Sequence, residues 1–195
     1  MAQIRKYQAA APTEINDELV RCYNNFIVLR NLCISGKERA LADKSDNFLR
    51  HHKIPAEGLK KKDRKETIEN YFDSLQQQIF DNSFVDLVAA FERIIFIKIG
   101  NSSGLLRRIV KENYSAQYPF SIAIEGFIKD ANTINRLSSI QKILDGGISN
   151  YLSEQLKNII DYRNRITHGK RFGSETTLTM KKTLEILNEV LDLIG

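Results

Sequence analysis

Apolar side chains recur every three to four positions along most of this chain, and the strict alternation typical of half-buried strands is scarce. The first such stretch covers residues 13–33, with Ile15, Leu19, Cys22, Phe26, Leu29 and Cys33 at helical spacing. It begins in a capping region at Thr13 to Asp17, and Ser35-Gly36 predicts its end. The polar stretch 37–65, with Pro55 and Gly58, predicts a short helix over 46–52 followed by a basic connection.

A second helical pattern runs from about Arg64 to Ile99. Its first part carries Ile68, Phe72, Leu75 and Ile79, and the polar residues Asp81-Asn82-Ser83 indicate a break. Its second part, SFVDLVAAFERIIFIKIG, is apolar around most of the helix circumference. A helix that is apolar on all sides is typical of a buried element, so this segment is the predicted central helix of the core.

The stretch 105–133 leaves several structures open. A short helix can begin at Arg107, and YPFSIAIEGFI fits an extended segment, a loop or a helix beyond Pro119. Three further helices are predicted: one over 134–144 that ends at Gly146-Gly147, one from about Ser149 to His168, and one over 174–194. The last has a seam of Met180, Leu184, Leu187, Leu191 and Ile194.

These elements predict an all-α fold, a single helical bundle of four to five core helices with an irregular middle segment. Residues 1–63 form an extra N-terminal helix and a basic connection packed on the bundle, and residues 64–195 form the bundle itself. We expect one compact domain overall, since 195 residues with 42% hydrophobic content suit a single core.

Composition narrows the class of protein further. No run approaches the roughly 20 apolar residues of a spanning helix, and the N-terminus lacks an apolar leader, so we expect a cytoplasmic protein without membrane contact. The three histidines and two cysteines show no CxxC, HxxxH or HExxH spacing, so the expectation is that no metal or cofactor is needed.

The net charge of +5 is concentrated in runs. These are Lys60 to Lys65, Arg107-Arg108 with Lys111, and Arg163 to Arg171. Any one of them alone is typical of a solvated helix face, whereas together they favour an anionic partner.

Arg163 interrupts an apolar stripe. At 100° per residue from Leu152, the stripe residues Leu156, Ile159 and Ile166 lie within about 40° of the stripe centre, and Arg163 lies at about 20°. A guanidinium keeps its proton in proteins, so on this face it needs a carboxylate, several carbonyls or a cleft open to anions. Glu92, which interrupts the apolar surface of the central helix, is the internal candidate for a structural ion pair.

A functional interpretation uses the neighbours of Arg163. Gly169 predicts that the helix ends beside His168, so both side chains lie near a helix end, flanked by Asn164, Arg165, Lys170 and Arg171. Histidine can transfer protons near neutral pH, and arginine can stabilise charge on a phosphoryl group. This combination predicts a phosphate site. Tyr162, at the side of the stripe, is a candidate to line the cleft or a dimer contact.

The string Arg163-Asn164-Arg165-Ile166-Thr167-His168 resembles the signature of the HEPN superfamily, an arginine, a polar residue and a histidine after four to six intervening residues. The surroundings are similar to those in the superfamily too. The motif ends an apolar helix, LSEQLKNIIDYRNRITHG, a final amphipathic helix follows it, and the helix SFVDLVAAFERIIF precedes it. Within the superfamily, the chain resembles the stand-alone prokaryotic RiboL-PSP-HEPN and MAE-type groups. The resemblance covers residues 64–195.

The resemblance implies a metal-independent endoribonuclease that acts as a homodimer with a shared cleft, in phage defence or as a toxin. Arg163 would bind and polarise the phosphate, Asn164 would orient it or the histidine, and His168 would move the proton. Arg165, Lys170, Arg171 and Tyr162 would contact RNA, tRNA included. An antitoxin or another defence-system protein is a further expected partner.

The same resemblance leaves alternatives. Some toxin members carry a tyrosine after the histidine that is modified by an antitoxin, but here Gly169-Lys170 follows, so that regulation is not expected. Other members are non-catalytic modules that bind RNA, a nucleotide or a protein. A third interpretation is a helical interaction protein in which Arg163 only pairs with Glu92.

Overall fold

The computed structural model describes residues 14–114, 148–169 and 177–194, which form five α-helices. They are α1 (Glu14–Ala42), α2 (Asn47–His51), α3 (Lys61–Tyr114), α4 (Asn150–Thr167) and α5 (Met180–Ile194). These ranges contain no strand, so the predicted all-α class is confirmed. The predicted helix over 134–144 and the stretch YPFSIAIEGFI lie outside them. Within the described ranges, no helix has both the length and the apolar composition needed to cross a bilayer.

Helix α1 does not end where the sequence predicts. It continues through Ser35 and Gly36 to Ala42. Gly36 lies against α3, and a Cβ atom at this position would come within 3.1 Å of Cε1 of Phe72. One turn earlier, Cys33 is buried, and its Sγ lies 3.8 Å from the carbonyl oxygen of Phe72. The glycine therefore allows the two helices to approach closely instead of ending α1.

Helix α3 contains 54 residues, so it is about 81 Å long. The predicted break at Asp81 to Ser83 and the predicted end near Ile99 are both wrong, because the backbone is helical from Lys61 to Tyr114. Asp81, the first residue of the predicted break, accepts a hydrogen bond from Nε2 of Gln77 at 2.7 Å. A carboxylate with side-chain partners does not compete for backbone groups, and the helix continues through it.

The main core lies between α3 and its neighbours α1, α4 and α5. The predicted central helix is confirmed, since seven of its apolar residues are at most 1% exposed: Phe84, Leu87, Val88, Ala90, Phe91, Ile94 and Ile95. The stripes predicted on α4 and α5 face the same core with Leu152, Leu156, Ile159, Ile160, Met180, Leu184, Leu187 and Leu191. Leu19 and Phe26 bring α1 into this core.

A second apolar cluster lies farther along the α1–α3 pair. It joins the last turns of α1, the short helix α2 and the first turns of α3 through Cys33, Ala40, Leu49, Ile54, Ala56, Ile68 and Phe72. The short helix predicted over 46–52 is confirmed as α2. This cluster fixes the end of the molecule at which the connection 43–60 turns the chain back on itself.

Candidate functional site at the end of helix α4

Helix α4 has a defined beginning and end. Ser149 caps the first turn, since its Oγ accepts a hydrogen bond from the backbone N–H of Leu152 at 3.3 Å. At the other end, the backbone N–H of His168 donates to the carbonyl oxygen of Asn164. Gly169 follows with φ +67°, a left-handed conformation that glycine adopts without a Cβ penalty. The predicted helix end is confirmed.

Arg163 points from α4 toward α3 and is half-buried, with 29% of its side chain exposed. Its Nη2 lies 3.5 Å from Oε2 of Glu92, so the structure contains the ion pair that helical geometry predicts. Its Nη1 donates to Oδ1 of Asn164 at 3.2 Å. Its Nε is buried and has no hydrogen-bond partner among the described residues.

The contact between Arg163 and Glu92 is long for an ion pair. Charge-assisted hydrogen bonds between nitrogen and a carboxylate oxygen are typically about 2.7–2.9 Å. At 3.5 Å, the Glu92 carboxylate offsets the positive charge without a tight hydrogen bond. A guanidinium has five N–H donors in a rigid fork that matches a phosphate. The site can therefore bind a phosphate if Glu92 is displaced.

His168 is exposed at the end of α4. It lies five positions after Arg163, about 7.5 Å farther along the helix axis. Arg165 is half-buried on the same last turns. Lys170 and Arg171, the other predicted phosphate contacts, lie outside the described residues. The described part of the motif thus places a half-exposed guanidinium, a carboxamide and an imidazole at one helix end.

Tyr162 takes a different place from the predicted cleft or dimer contact. It is 7% exposed, and its ring packs edge-on against Phe84 with a centroid distance of 4.9 Å. Its hydroxyl donates to Oδ1 of Asp81 at 2.8 Å and accepts from Nε2 of Gln77 at 3.3 Å. This environment raises the pKa of Tyr162 to about 12, through burial first and then the bond and charge of Asp81. Tyr162 therefore anchors α4 on α3, and its ring is not presented for base stacking.

Asp81 and Gln77, which hold Tyr162, are not among the site residues that the sequence pattern predicts. The polar residues at 81–83 predict a break in the helix, which leaves Asp81 without an assigned partner. The signal was present in the helical spacing: Phe84, Val88 and Glu92 follow Asp81 at intervals that return to the same helix face. Two carboxylates on one apolar face of a central helix predict two partners from a neighbouring helix.

A shallow groove lies beside Glu92. It is lined by Ala89, Glu92, Arg93, Phe96 and Ile97 and has a volume of about 580 Å³. Ile97 is 40% exposed, so apolar surface adjoins the charged pair. Arg93 is already paired with Glu18 at 2.7 Å. In the described ranges, no three histidine, cysteine, aspartate or glutamate side chains are grouped as metal ligands would be.

The comparison with curated proteins finds no match, and no solved structure matches either. Residues 59–193 match the family described as the YopA C-terminal domain. The matched range includes Glu92, Arg163 and His168, whereas α1 and α2 precede it. Because the match covers well over half of the chain, this protein belongs to the YopA C-terminal domain family.

Proposed function

We propose that this protein is a metal-independent endoribonuclease of HEPN type that acts as a homodimer. The observation that carries the proposal is the arrangement at the end of α4, where Arg163 and Asn164 lie in the last two turns and His168 is the C-cap. Arginine and histidine supply charge stabilisation and proton transfer, which are the two requirements of phosphodiester cleavage by an internal hydroxyl. The resemblance of the motif supplies the reaction class.

In this proposal, the scissile phosphate takes the position that Glu92 holds beside Arg163. The Nη2 atom that faces Glu92 and the unpaired Nε atom then donate to phosphate oxygens. Asn164, already bonded to Nη1, holds the guanidinium plane in place. The guanidinium neutralises the charge that grows on the phosphoryl oxygens as the nucleophile attacks.

His168 transfers the protons. The ribose 2′-hydroxyl loses its proton to an imidazole as its oxygen bonds to phosphorus, and the bond from phosphorus to the 5′-oxygen breaks. The leaving 5′-oxygen takes a proton from an imidazolium. The products are a 2′,3′-cyclic phosphate and a 5′-hydroxyl, and no external water is consumed in this step. Single-stranded or loop RNA, tRNA included, bends most easily into the in-line geometry.

The surface next to the site is compatible with a second copy. Phe96 and Ile97 adjoin Glu92 in the shallow groove, and covering them would remove apolar area from water. A two-fold contact there brings a second Arg163 and His168 to the same cleft, so one imidazole can accept a proton while the other donates one. A role in phage defence or as a toxin fits such an enzyme.

The test compares wild type, His168→Ala and His51→Ala on total RNA in EDTA, with analysis of the new RNA ends. His51 is an exposed histidine on α2, so its variant is the matched control. We expect cyclic phosphate and 5′-hydroxyl ends from wild type and His51→Ala, and none from His168→Ala. Cleavage that needs added metal, or that survives His168→Ala, excludes the mechanism.

The Glu92 contact favours a second candidate, a non-catalytic HEPN module that binds RNA, a nucleotide or a protein. The Glu92 carboxylate already offsets the charge of Arg163, so the guanidinium has a partner in the absence of any substrate. This candidate predicts RNA binding that weakens steeply with salt while the RNA stays intact. The same incubation, analysed for bound but uncut RNA, separates the two.

A further inference from the structure

Residues 43–66, the connection between α1 and α3 together with the first turns of α3, form a basic segment. Residues 43–66 contain eight lysines and arginines against five aspartates and glutamates, a net charge of +3 within a chain of net charge +5. Five exposed lysines define a surface that we call the basic tip: Lys44, Lys53, Lys60, Lys61 and Lys62. The second apolar cluster holds the backbone of this end of the molecule in place.

Three of the five carboxylates of residues 43–66 are used by the fold, and the other two, Asp63 and Glu66, are exposed in the first turns of α3. Asp43 accepts hydrogen bonds from the backbone N–H groups of Phe48 and Leu49. Asp46 pairs with Arg64 at 2.8 Å and accepts from the backbone N–H of Gly58. Each of these contacts fixes the turn between α1 and α3, so neither carboxylate is available to neutralise a lysine.

The third carboxylate of the turn is also engaged. Glu57 pairs with Arg50 at 2.9 Å across α2. None of the five lysines of the basic tip forms an ion pair with a described residue. Arg50 and Arg64 are thus paired with carboxylates of the fold, as is Lys65 with Glu69 at 3.8 Å, whereas the five lysines of the basic tip are exposed without such a partner.

Two of these lysines occupy an unfavourable place. Lys61 and Lys62 open α3, where the backbone dipole is positive, and the first turn contains only Asp63 as an acidic residue. A cation at a helix beginning is disfavoured by itself. An anion bound at the tip would interact favourably with both lysines and with the dipole, so the arrangement suits an external polyanion.

We propose that the basic tip is a docking surface for the phosphate backbone of a folded RNA substrate, separate from the site at Arg163. This inference rests on the proposed function for the identity of the polyanion. Lys61 and Glu92 lie about 46 Å apart along the single helix α3. An RNA that contacts both places must extend over that distance, so the tip selects long, folded RNAs over short strands. Lysines on flexible stems contact phosphates without reading bases.

The chain offers a matched pair of variants for the test. Lys61→Gln/Lys62→Gln removes two exposed charges from the first turn of α3, and Lys181→Gln/Lys182→Gln removes two from the first turn of α5. Lys181 and Lys182 contact Glu185, so they are already partly neutralised. Binding is measured with a hairpin RNA of about 40 nucleotides and a single strand of about 6 nucleotides over a salt series.

For the hairpin, we expect Lys61→Gln/Lys62→Gln to weaken binding about tenfold and to flatten the dependence of log K on log salt by about 1.5. The control variant should bind the hairpin like wild type, and the 6-nucleotide strand should not distinguish the proteins. If both variants weaken hairpin binding equally, or neither does, the proposal is overturned. Loss of binding to phosphatidylserine vesicles with unchanged RNA binding also overturns it, in favour of a membrane surface.

The result of this binding test can be distinguished from the result of the cleavage test for the proposed function. Binding is scored without cleavage, so a protein that docks the hairpin through the tip and leaves it intact keeps this inference and removes the nuclease. Where cleavage is observed, Lys61→Gln/Lys62→Gln should raise the KM for the hairpin about tenfold and leave kcat unchanged. Cleavage of the hairpin with wild-type KM in that variant removes the docking surface and keeps the nuclease.

Discussion

Tyr162 and Arg163 are neighbours on α4, and each meets a carboxylate of α3 in a different way. The hydroxyl of Tyr162 donates to Asp81 at 2.8 Å inside the core, where Tyr162 is 7% exposed. The guanidinium of Arg163 lies 3.5 Å from Glu92, and 29% of its side chain is exposed. The first contact is short and buried, whereas the second is long and open to solvent.

This difference gives the two adjacent residues different roles. Tyr162 stabilises the fold, whereas Arg163 is suited to bind a ligand. A buried hydrogen bond to a carboxylate is costly to remove, because the carboxylate keeps its desolvation penalty. At 3.5 Å and with both side chains partly exposed, the ion pair of Arg163 and Glu92 contributes less to folding than a short buried contact does. Tyr162 therefore fixes the position of α4, and Arg163 is available at that position to bind an anion.

The largest expected effect is that of Arg163→Gln on RNA cleavage. Loss of the guanidinium should lower kcat/KM by about 100-fold or more, since a preorganised donor to developing charge is removed. The midpoint of urea denaturation should fall less than in Tyr162→Phe, because the ion pair is 3.5 Å long and both side chains keep some exposure. If Arg163→Gln and Glu92→Gln instead destabilise the fold equally and RNA is never bound, the pair is structural and the chain is a helical interaction protein.

Tyr162→Phe should affect the stability of the fold more than the cleavage of RNA. Removal of the hydroxyl takes one donor from the buried Asp81 carboxylate, so the free energy of unfolding should fall by about 1–3 kcal/mol. Urea denaturation measures this change, and Tyr151→Phe is the control, since Tyr151 is 55% exposed. Equal stability of the two variants would show that the Asp81 contact does not anchor α4.

Glu92→Gln should strengthen anion binding at Arg163. Without the competing carboxylate, the affinity for RNA should rise about fivefold at constant salt, a gain of roughly 1 kcal/mol. Glu154→Gln removes the same charge from an exposed position of α4 and serves as the control. A rise of the same size in both variants would indicate only a change of net charge.

The last expected effect is a dependence of stability on alkaline pH. The pKa of Tyr162 is about 12 in the folded protein and near 10.0 for an ordinary tyrosine, so the folded state holds this proton more tightly. The stabilisation is complete below pH 10 and is lost as the pH rises toward 12. Wild type should therefore lose stability relative to Tyr162→Phe over this interval, measured by denaturant titration. A constant difference would contradict the raised pKa.

Much of the fold follows from local pattern. The spacing of Leu152, Leu156 and Ile159 predicts the buried face of α4, and the apolar segment 83–100 predicts the central helix. Gly169 predicts the end of α4, since a positive φ suits glycine. These features depend on residues within a few turns of each other, so periodicity and capping rules suffice to find them.

Features that depend on distant partners do not follow from local pattern. Gly36 predicts a helix end, and only the nearby Phe72 ring shows that this glycine permits close packing of two helices. Asp81 predicts a break in the helix, and only the hydroxyl of Tyr162, far along the chain, shows that the carboxylate has a hydrogen-bond donor inside the core. In both cases, the residue type is unfavourable locally and becomes favourable through a contact made by another helix.

Local spacing is enough to establish that this chain is helical and that Arg163 is a permanent charge on an apolar stripe ending near His168. Which of the two neighbours faces inward depends on helix packing: Tyr162 is buried against Asp81, and Arg163 lies beside Glu92 at the partly exposed edge of the core. Helical periodicity gives the angle of a side chain around its own axis. Burial depends on where the facing helix lies, which only the packed structure specifies.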